Sequence, residues 1–167
     1  SQGHTAIVQL LLDHGAQVDI QDNNGDWTAL MTASSQGHTA IVQLLFDHGA
    51  LVDIQNNSGY TALMHASVGG HTAIVQLLLD HGALVDIQVD SGETALMKAS
   101  YEGRTAIVPL LLNHGAQVDI QSNGGWTALM NASCQGHIAI VQLLLVHGAL
   151  VDIQDNDGWS ALMLASS

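Results

Sequence analysis

A four-residue sequence, TALM, returns along this chain at a constant step, and this repetition restricts the fold more than any other feature. TALM begins at Thr28, Thr61, Thr94 and Thr127, and SALM begins at Ser160. Each step is 33 residues, and a second motif, HG, keeps that step except between His14 and His48, where it is 34. The extra residue belongs to DNNGDWT, and we expect it in a turn near Asp26, where added length costs little.

Each repeat reads as two short helices and an extended finger. The Thr or Ser of the motif can cap the first helix, and a glycine nine residues later ends it. The second helix, TAIVQLLLDH, carries an apolar stripe at helical spacing and ends at His-Gly, after which ALVDIQ reads as extended. One helix pair cannot bury its stripe alone, whereas stacked copies bury a continuous core. The pattern therefore predicts an all-α solenoid of stacked helix-turn-helix pairs with short hairpin-like fingers.

The long pattern GxTALMxASxxGHTAIVQLLLDHGALVDIQ resembles the ankyrin repeat family, and the resemblance covers the whole chain. It implies one ankyrin-repeat solenoid over residues 1–167. Its parts would be a partial repeat at 1–21, full repeats at 22–55, 56–88, 89–121 and 122–154, and a partial repeat at 155–167. The family's usual TPLH is TALM here, so a methionine column replaces a hydrogen-bonding histidine column. We therefore expect packing to carry more of the coupling between repeats.

The charge balance argues against two classes of partner. The chain has 15 Asp and Glu but only 2 Lys and Arg, for a net charge of −13. No basic patch can be built from Lys98 and Arg104 alone, which argues against nucleic acid and against an anionic membrane surface. No apolar run reaches the roughly 18 residues of a membrane span. The single cysteine, Cys134, excludes an internal disulfide and suits a reducing compartment, so we expect a cytoplasmic protein.

The polar residues do not form a pattern that predicts catalysis or a cofactor. Nine of the ten histidines recur at two repeat positions, roughly 8–10 Å apart by the stacking distance of helices, which is too far to share one zinc ion. The Asp column of the VDI segments reads as a solvated edge of the fingers. No phosphate-binding loop, nucleophile elbow or HExxH motif is present. We expect no catalytic residue, no cofactor, no metal and no enzymatic activity.

Variation between the copies concentrates in three columns of each repeat. The finger column precedes the capping residue, the helix column follows TALM, and the third column follows AS. The resemblance implies that such positions line a groove for protein partners, and the aromatic content fits an interface. The predicted partner-binding residues are Trp27, Thr32, Tyr60, His65, Val68, Glu93, Lys98, Tyr101, Glu102, Trp126, Asn131, Cys134 and Trp159. The alternative for the Trp residues is packing against the neighbouring finger.

The copy that contains Glu93 to Arg104 departs furthest from its neighbours. Its apolar stripe is intact, but Pro109 replaces a Gln on the outer face of the second helix. We expect this proline to cost at most one helical hydrogen bond, and less if it lies in the first turn. We interpret Glu93 to Arg104 as the segment most adapted to a partner. Neutral drift at solvent positions is the alternative.

The predicted function is non-enzymatic binding of a protein or peptide of positive or apolar character. The alternatives are a structural spacer or elastic solenoid, an engineered repeat scaffold, and a docking array in a larger signalling protein or enzyme. The two half repeats are complementary, because ALMLASS would continue naturally into SQGHTAIV. Head-to-tail stacking of separate molecules through uncapped ends is therefore a further prediction.

Overall fold

The chain folds into short helices joined by turns, as seen in a computed structural model that describes residues 2–24 and 26–167. It divides into two compact units, residues 1–84 and Val85–Ser167. Among the described residues, one isolated bridge between Gln154 and Ser160 is the only extended pairing. The predicted all-α repeat architecture is thus confirmed. The exact repeat boundaries within a single solenoid domain stay a prediction.

The first unit packs its helices in two layers. They are α1 (Gln2–Asp13), α2 (Ala29–Ser35), α3 (Thr39–Asp47), α4 (Ala62–Gly69) and α5 (Thr72–Asp80). The first helices of the repeats, α2 and α4, pack on each other, and each packs on the second helix that follows it. The second helices contact one another in the order α1, α3, α5. Leu45, Leu63 and Leu78 lie fully buried where these helices meet.

The second unit repeats this arrangement. Its helices are α6 (Ala95–Tyr101), α7 (Val108–Asn113), α8 (Ala128–Cys134), α9 (Ile138–Val146) and α10 (Ala161–Leu164). The helix α8 packs on α6, α9 and α10, while α7 packs on α6 and α9. Leu111, Leu129 and Leu144 are buried in this core. Each unit therefore buries its apolar stripes through contacts between successive copies, as expected for stacked repeats.

The ends of the first helices follow the sequence signals. The hydroxyl oxygen of Thr28 accepts the backbone N–H of Met31 at 3.1 Å, and the other capping residues make the same bond to the Met three positions on. The glycines that follow these helices have left-handed backbones with φ between 70° and 77°. They are Gly37, Gly70, Gly103 and Gly136. Both kinds of predicted cap are confirmed.

The finger segments differ from the prediction. ALVDIQ is not extended throughout, because a turn occupies Val52–Asp53 and the matching residues of the other copies. The turn allows the Asp side chain to reach the backbone of the next copy. The inserted residue does lie in the fingertip. The N–H of Asp22 donates to the carbonyl of Trp27 at 3.1 Å, five residues on, whereas the N–H of Asn56 donates to the carbonyl of Tyr60 at 3.0 Å, four residues on.

Pro109 shortens its helix. The helix α7 begins at Val108 and has six residues, whereas α3, α5 and α9 have nine. Proline has no N–H to donate, and in a helix its ring clashes with the carbonyl group of the residue four positions earlier. Pro109 is the second residue of α7, so the missing donor falls in the first turn. This is the milder of the two cases expected from the sequence.

Candidate functional site

The Asp column links neighbouring copies, so its prediction as a solvated edge was wrong. The carboxylate of Asp19 accepts the backbone N–H of Leu51 at 3.1 Å, and Asp53 accepts that of Leu84 at 3.1 Å. In the second unit the same bond joins Asp86 to Gln117 and Asp119 to Leu150. Burial raises the pKa of Asp53 above its usual range, although the Leu84 N–H acts in the opposite direction. These carboxylates stabilise the fingers.

The repeated histidines also have partners within the fold. The Nδ1 atom of each HG histidine lies 2.8 Å from the carbonyl oxygen four residues earlier, at His14, His48, His81, His114 and His147. The histidine that precedes the second helix reaches the previous copy, because His71 Nε2 lies 3.1 Å from the Ser35 carbonyl oxygen. His137 makes the same contact with Tyr101 at 2.9 Å. Within the described residues no group of His, Cys, Asp and Glu could hold a metal ion.

The finger column lies at the surface of both units. Trp27, Tyr60, Glu93 and Trp126 are partly exposed, and the Trp159 side chain is 44% exposed. Each lies immediately before a capping residue, which is buried in the first four copies, so the cap holds its backbone in place. The column therefore presents large side chains at fixed positions, which is the property that a binding surface requires.

In the first unit the finger and helix columns meet in a cluster of three rings. The centroid of the Trp27 ring lies 4.2 Å from that of His65, with an angle of 35° between the rings. The Tyr60 ring lies 5.2 Å from His65 at an angle of 25°. The finger of one copy thus contacts the first helix of the next, whereas the alternative for the Trp residues was packing against the neighbouring finger. All three rings remain partly exposed.

In the second unit the corresponding positions hold an ion pair. The Lys98 Nζ atom lies 3.0 Å from a carboxylate oxygen of Glu93, and the same oxygen accepts the Ser91 hydroxyl at 2.7 Å. Lys98 is only 8% exposed. Burial alone would raise the pKa of Glu93, but the hydrogen bonds from Ser91 and Lys98 and the charge of Lys98 outweigh it and lower this pKa.

The remaining predicted residues range from exposed to buried. In the helix column Thr32 is exposed and its hydroxyl donates to the Thr28 carbonyl at 3.1 Å, whereas Asn131 is only 6% exposed. In the third column Tyr101 is 49% exposed, and Glu102, Cys134 and Val68 are exposed or partly exposed. A partner would meet the third column and the finger column before it met Lys98 or Asn131. The assignment of all thirteen residues to a binding site stays a prediction.

One surface was not predicted from the sequence. The outer face of α9 carries Ile138 and Val146, which are 72% and 83% exposed. Comparison of the copies could have found it, because the same positions hold Thr72 and Asp80 in α5. In the sequence, the copies were compared at the finger, helix and third columns, and only Pro109 was singled out on the outer faces. The change in chemistry on α9 marks this face as a second candidate surface.

Two findings bear on what the chain is related to. A family model described as ankyrin repeats in three copies matches residues 41–122, 84–155 and 116–167, and one described as many copies matches residues 11–63. No curated protein shows significant similarity to the chain. Ankyrin repeats are generally non-enzymatic modules for interactions between proteins. Across the described residues, no helix is long and apolar enough to span a bilayer. With its 33-residue period, capped helix pairs and matches over most of its length, this chain belongs to the ankyrin repeat family.

Proposed function

We propose that the chain is a non-enzymatic module that binds a protein or peptide through a groove formed, within each of its units, by the fingers and first helices. One observation carries this proposal. Side chains that differ between copies reach the surface in the finger and third columns, whereas the constant Leu and Met of the four TALM motifs lie in the core. Tyr101 and Trp159 are about half exposed, while Met97 and Leu129 are buried. Aromatic side chains at fixed exposed positions are common hot spots of interfaces.

The charges favour a partner with basic and apolar side chains. Residues 1–84 contain seven carboxylates and no Lys or Arg, and residues 85–167 contain eight carboxylates with Lys98 and Arg104. Four residues of the Asp column, Asp19, Asp53, Asp86 and Asp119, are engaged in bonds between copies, so the fingertips add more accessible negative charge on the finger side. Asp90 and Asp157 are exposed at these tips. Complementary charge would raise the rate of association and suppress acidic partners. The cytoplasm, with its reducing conditions, suits the exposed Cys134.

The test is selection from a random-peptide display library against the whole chain. Selected peptides should be rich in Lys, Arg and aromatic residues. Trp27→Ala should weaken the binding of peptides that occupy the first unit, and Tyr101→Ala that of peptides that occupy the second, each by about tenfold, the size expected for truncated hot spots. Gln43→Ala, on the outer face of α3, is the control and should leave binding unchanged. Selected peptides that bind all four proteins equally would disprove the groove as the binding site.

A second interaction, head-to-tail stacking of two copies, is supported by a different observation. Ile7 and Leu11 of α1 are 57% and 56% exposed, whereas the corresponding Ile74 and Leu78 of α5 are 1% and 0% exposed. Met163 is 50% exposed. A first helix of one copy could cover α1 of another, as α4 covers α5. Leu11→Glu should then reduce self-association in sedimentation velocity, and an unchanged sedimentation coefficient at high concentration would reject stacking.

A further inference from the structure

The outer faces of the second helices in the first unit share one hydrogen bond. The side-chain amide of a Gln donates to the carboxylate four residues on, at 2.7 Å from Gln9 to Asp13, 2.9 Å from Gln43 to Asp47 and 2.7 Å from Gln76 to Asp80. Side chains four apart lie one above the other on a helix, so the bond forms readily. Each of these Asp residues is exposed. These faces are therefore polar and negatively charged.

The helix α9 presents a different face. Val146 stands where α1, α3 and α5 have Asp, and Ile138 stands where α3 and α5 have Thr. Gln142 keeps its position but has no carboxylate four residues on. The sequence IAIVQLLLV contains no charged residue. A helix that is apolar on nearly all sides is normally covered, yet Ile138 is 72% and Val146 is 83% exposed.

This exposure does not depend on which repeat a residue belongs to. Thr39 and Thr72, the counterparts of Ile138, are exposed, as are Asp47 and Asp80, the counterparts of Val146. Both positions face solvent even in copies that have another second helix packed beside them. Leu145 is different, because its counterpart Leu79 is only 5% exposed. Leu145 therefore does not belong to the face that is exposed in every copy. What is particular to α9 is the chemistry of two positions that are always at the surface.

We infer that Ile138, Gln142 and Val146 form the centre of a symmetric homodimer interface, in which α9 packs antiparallel on α9 of a second copy. The three residues lie at i, i+4 and i+8, with the apolar side chains about 6 Å along the axis on either side of Gln142. A two-fold axis at Gln142 would place Ile138 against Val146 of the second copy. Such a pattern is self-complementary, as a two-fold interface requires.

The amide and the charges both favour a second copy as the occupant. An amide group is donor and acceptor at once, so Gln142 can pair with Gln142 of the second copy. Two chains of net charge −13 repel each other, and a face without carboxylates reduces this repulsion where they meet. A basic partner would instead bind better to a face that keeps the Asp, which Val146 replaces in α9. One nine-residue helix covers less than the roughly 800 Å² per partner of a standard interface, so the dimer is expected to be weak and dependent on concentration.

Sedimentation velocity of the whole chain over a wide range of concentration tests the inference. The sedimentation coefficient of the natural chain should rise with concentration toward that of a dimer. Val146→Asp restores the residue found in α1, α3 and α5 and should raise the dissociation constant by at least about tenfold. Asn113→Asp, at the same position of α7, adds the same charge outside the proposed interface and should leave it unchanged. A chain that stays monomeric throughout, or a Val146→Asp variant that associates equally well, would overturn the inference.

A cross-link tests the two-fold axis separately. In a Cys134→Ser background, Gln142→Cys places two thiols at the proposed axis, and mild oxidation should give a covalent dimer. Gln76→Cys in the same background is the matched control on α5 and should cross-link much more slowly. Association that is lost in Leu11→Glu but kept in Val146→Asp would show head-to-tail stacking and overturn the α9 dimer. Neither result affects the groove proposal, which is tested by peptide binding.

Discussion

The second helices of the two units carry different outer faces on the same apolar stripe. In the first unit α1, α3 and α5 each pair a Gln with an exposed Asp, whereas α7 has Pro109 and Asn113 and α9 has Gln142 and Val146. The buried positions hardly change, since Leu78, Leu111 and Leu144 occupy the same position of three copies and are all fully buried. The stacking of copies therefore constrains the inner face of each helix and leaves its outer face free to change.

The finger and helix columns differ between the units in the same way. Tyr60 and His65 form a ring contact in the first unit, and Glu93 and Lys98 form an ion pair at the matching positions of the second. Both pairs join a finger to the first helix of its own copy. Both positions differ between these two copies, and in each copy the side chain at one contacts the side chain at the other.

Breaking the Glu93–Lys98 pair should have the largest effect on stability. Glu93→Ala removes the carboxylate beside a lysine that is 8% exposed, and we expect a loss of about 2 kcal/mol in the free energy of unfolding. The value is below that for a fully buried pair because the Glu93 side chain is 37% exposed. Urea denaturation measures this loss in the free energy of unfolding. Adding Lys98→Met should recover most of the loss, and a single variant as stable as the natural chain would contradict the pair's importance.

Restoring the outer face of α7 should stabilise the second unit. Pro109→Gln supplies the missing N–H and allows α7 to begin earlier, and we expect a gain of about 1 kcal/mol, below the cost of proline in a helix interior. Far-ultraviolet circular dichroism should show more helix, and the urea midpoint should rise. Adding Asn113→Asp recreates the Gln–Asp bond of the first unit and should contribute about 0.3 kcal/mol more. A lower midpoint for Pro109→Gln would show that the proline fits its site better than expected.

The fingertips offer a comparison of backbone conformation. Asp26 has φ of 56° at the position where Gly59 and Gly158 have φ of 80° and 84°. Asp26→Gly should stabilise the chain by about 1 kcal/mol or less, because a side chain disfavours this conformation. The reverse change in the second unit, Gly158→Asp, should lower its stability by a similar amount. An added Cβ meets nothing within 4 Å there, so the backbone conformation is the only cost expected. Equal stability of both variants and the natural chain would reject a conformational cost.

Buried serine hydroxyls provide a smaller test. The hydroxyl oxygens of Ser34, Ser67 and Ser100 are buried and have no hydrogen-bond partner among the described residues. Ser67→Ala should therefore raise the free energy of unfolding by about 0.5 kcal/mol. Ser133→Ala is the matched control in the second unit, because that residue is partly exposed and reports only the helix preference of alanine. A Ser67→Ala gain no larger than the control's would indicate that the buried hydroxyl costs nothing.

The smallest effect expected is a pH dependence confined to the second unit's ion pair. The pKa of Glu93 is lowered below its usual value of 4.5, so its contribution to stability is present above that pH and is lost as the pH falls through the lowered pKa. The difference in unfolding free energy between the natural chain and Glu93→Gln should shrink accordingly at acid pH. Tyr60→Phe, at the matching position of the first unit, should show a difference that does not change over this range. A Glu93→Gln difference that is constant with pH would contradict the lowered pKa.

Much of the fold was predictable from the sequence because it depends on local signals. The Thr caps, the glycines with left-handed backbones and the apolar stripes act within one repeat, and a 33-residue period repeats them. The place of the inserted residue was also predictable, since only a turn tolerates it. The mild cost of Pro109 in the first turn was also anticipated, whereas the shortening of α7 to six residues was not predicted.

The tertiary structure decided the roles of residues whose partners lie a repeat away. The sequence around Asp19 does not indicate that its carboxylate accepts a hydrogen bond from Leu51, 32 positions along, so a solvated edge was the natural interpretation. The burial of Lys98 and the ring contacts of His65 depend in the same way on side chains that stacking brings together. Local chemistry determined which segments become helices and where they end. Only the packing of one copy on the next determined which side chains are consumed by the fold and which, such as Ile138 and Val146 of α9, stay at the surface.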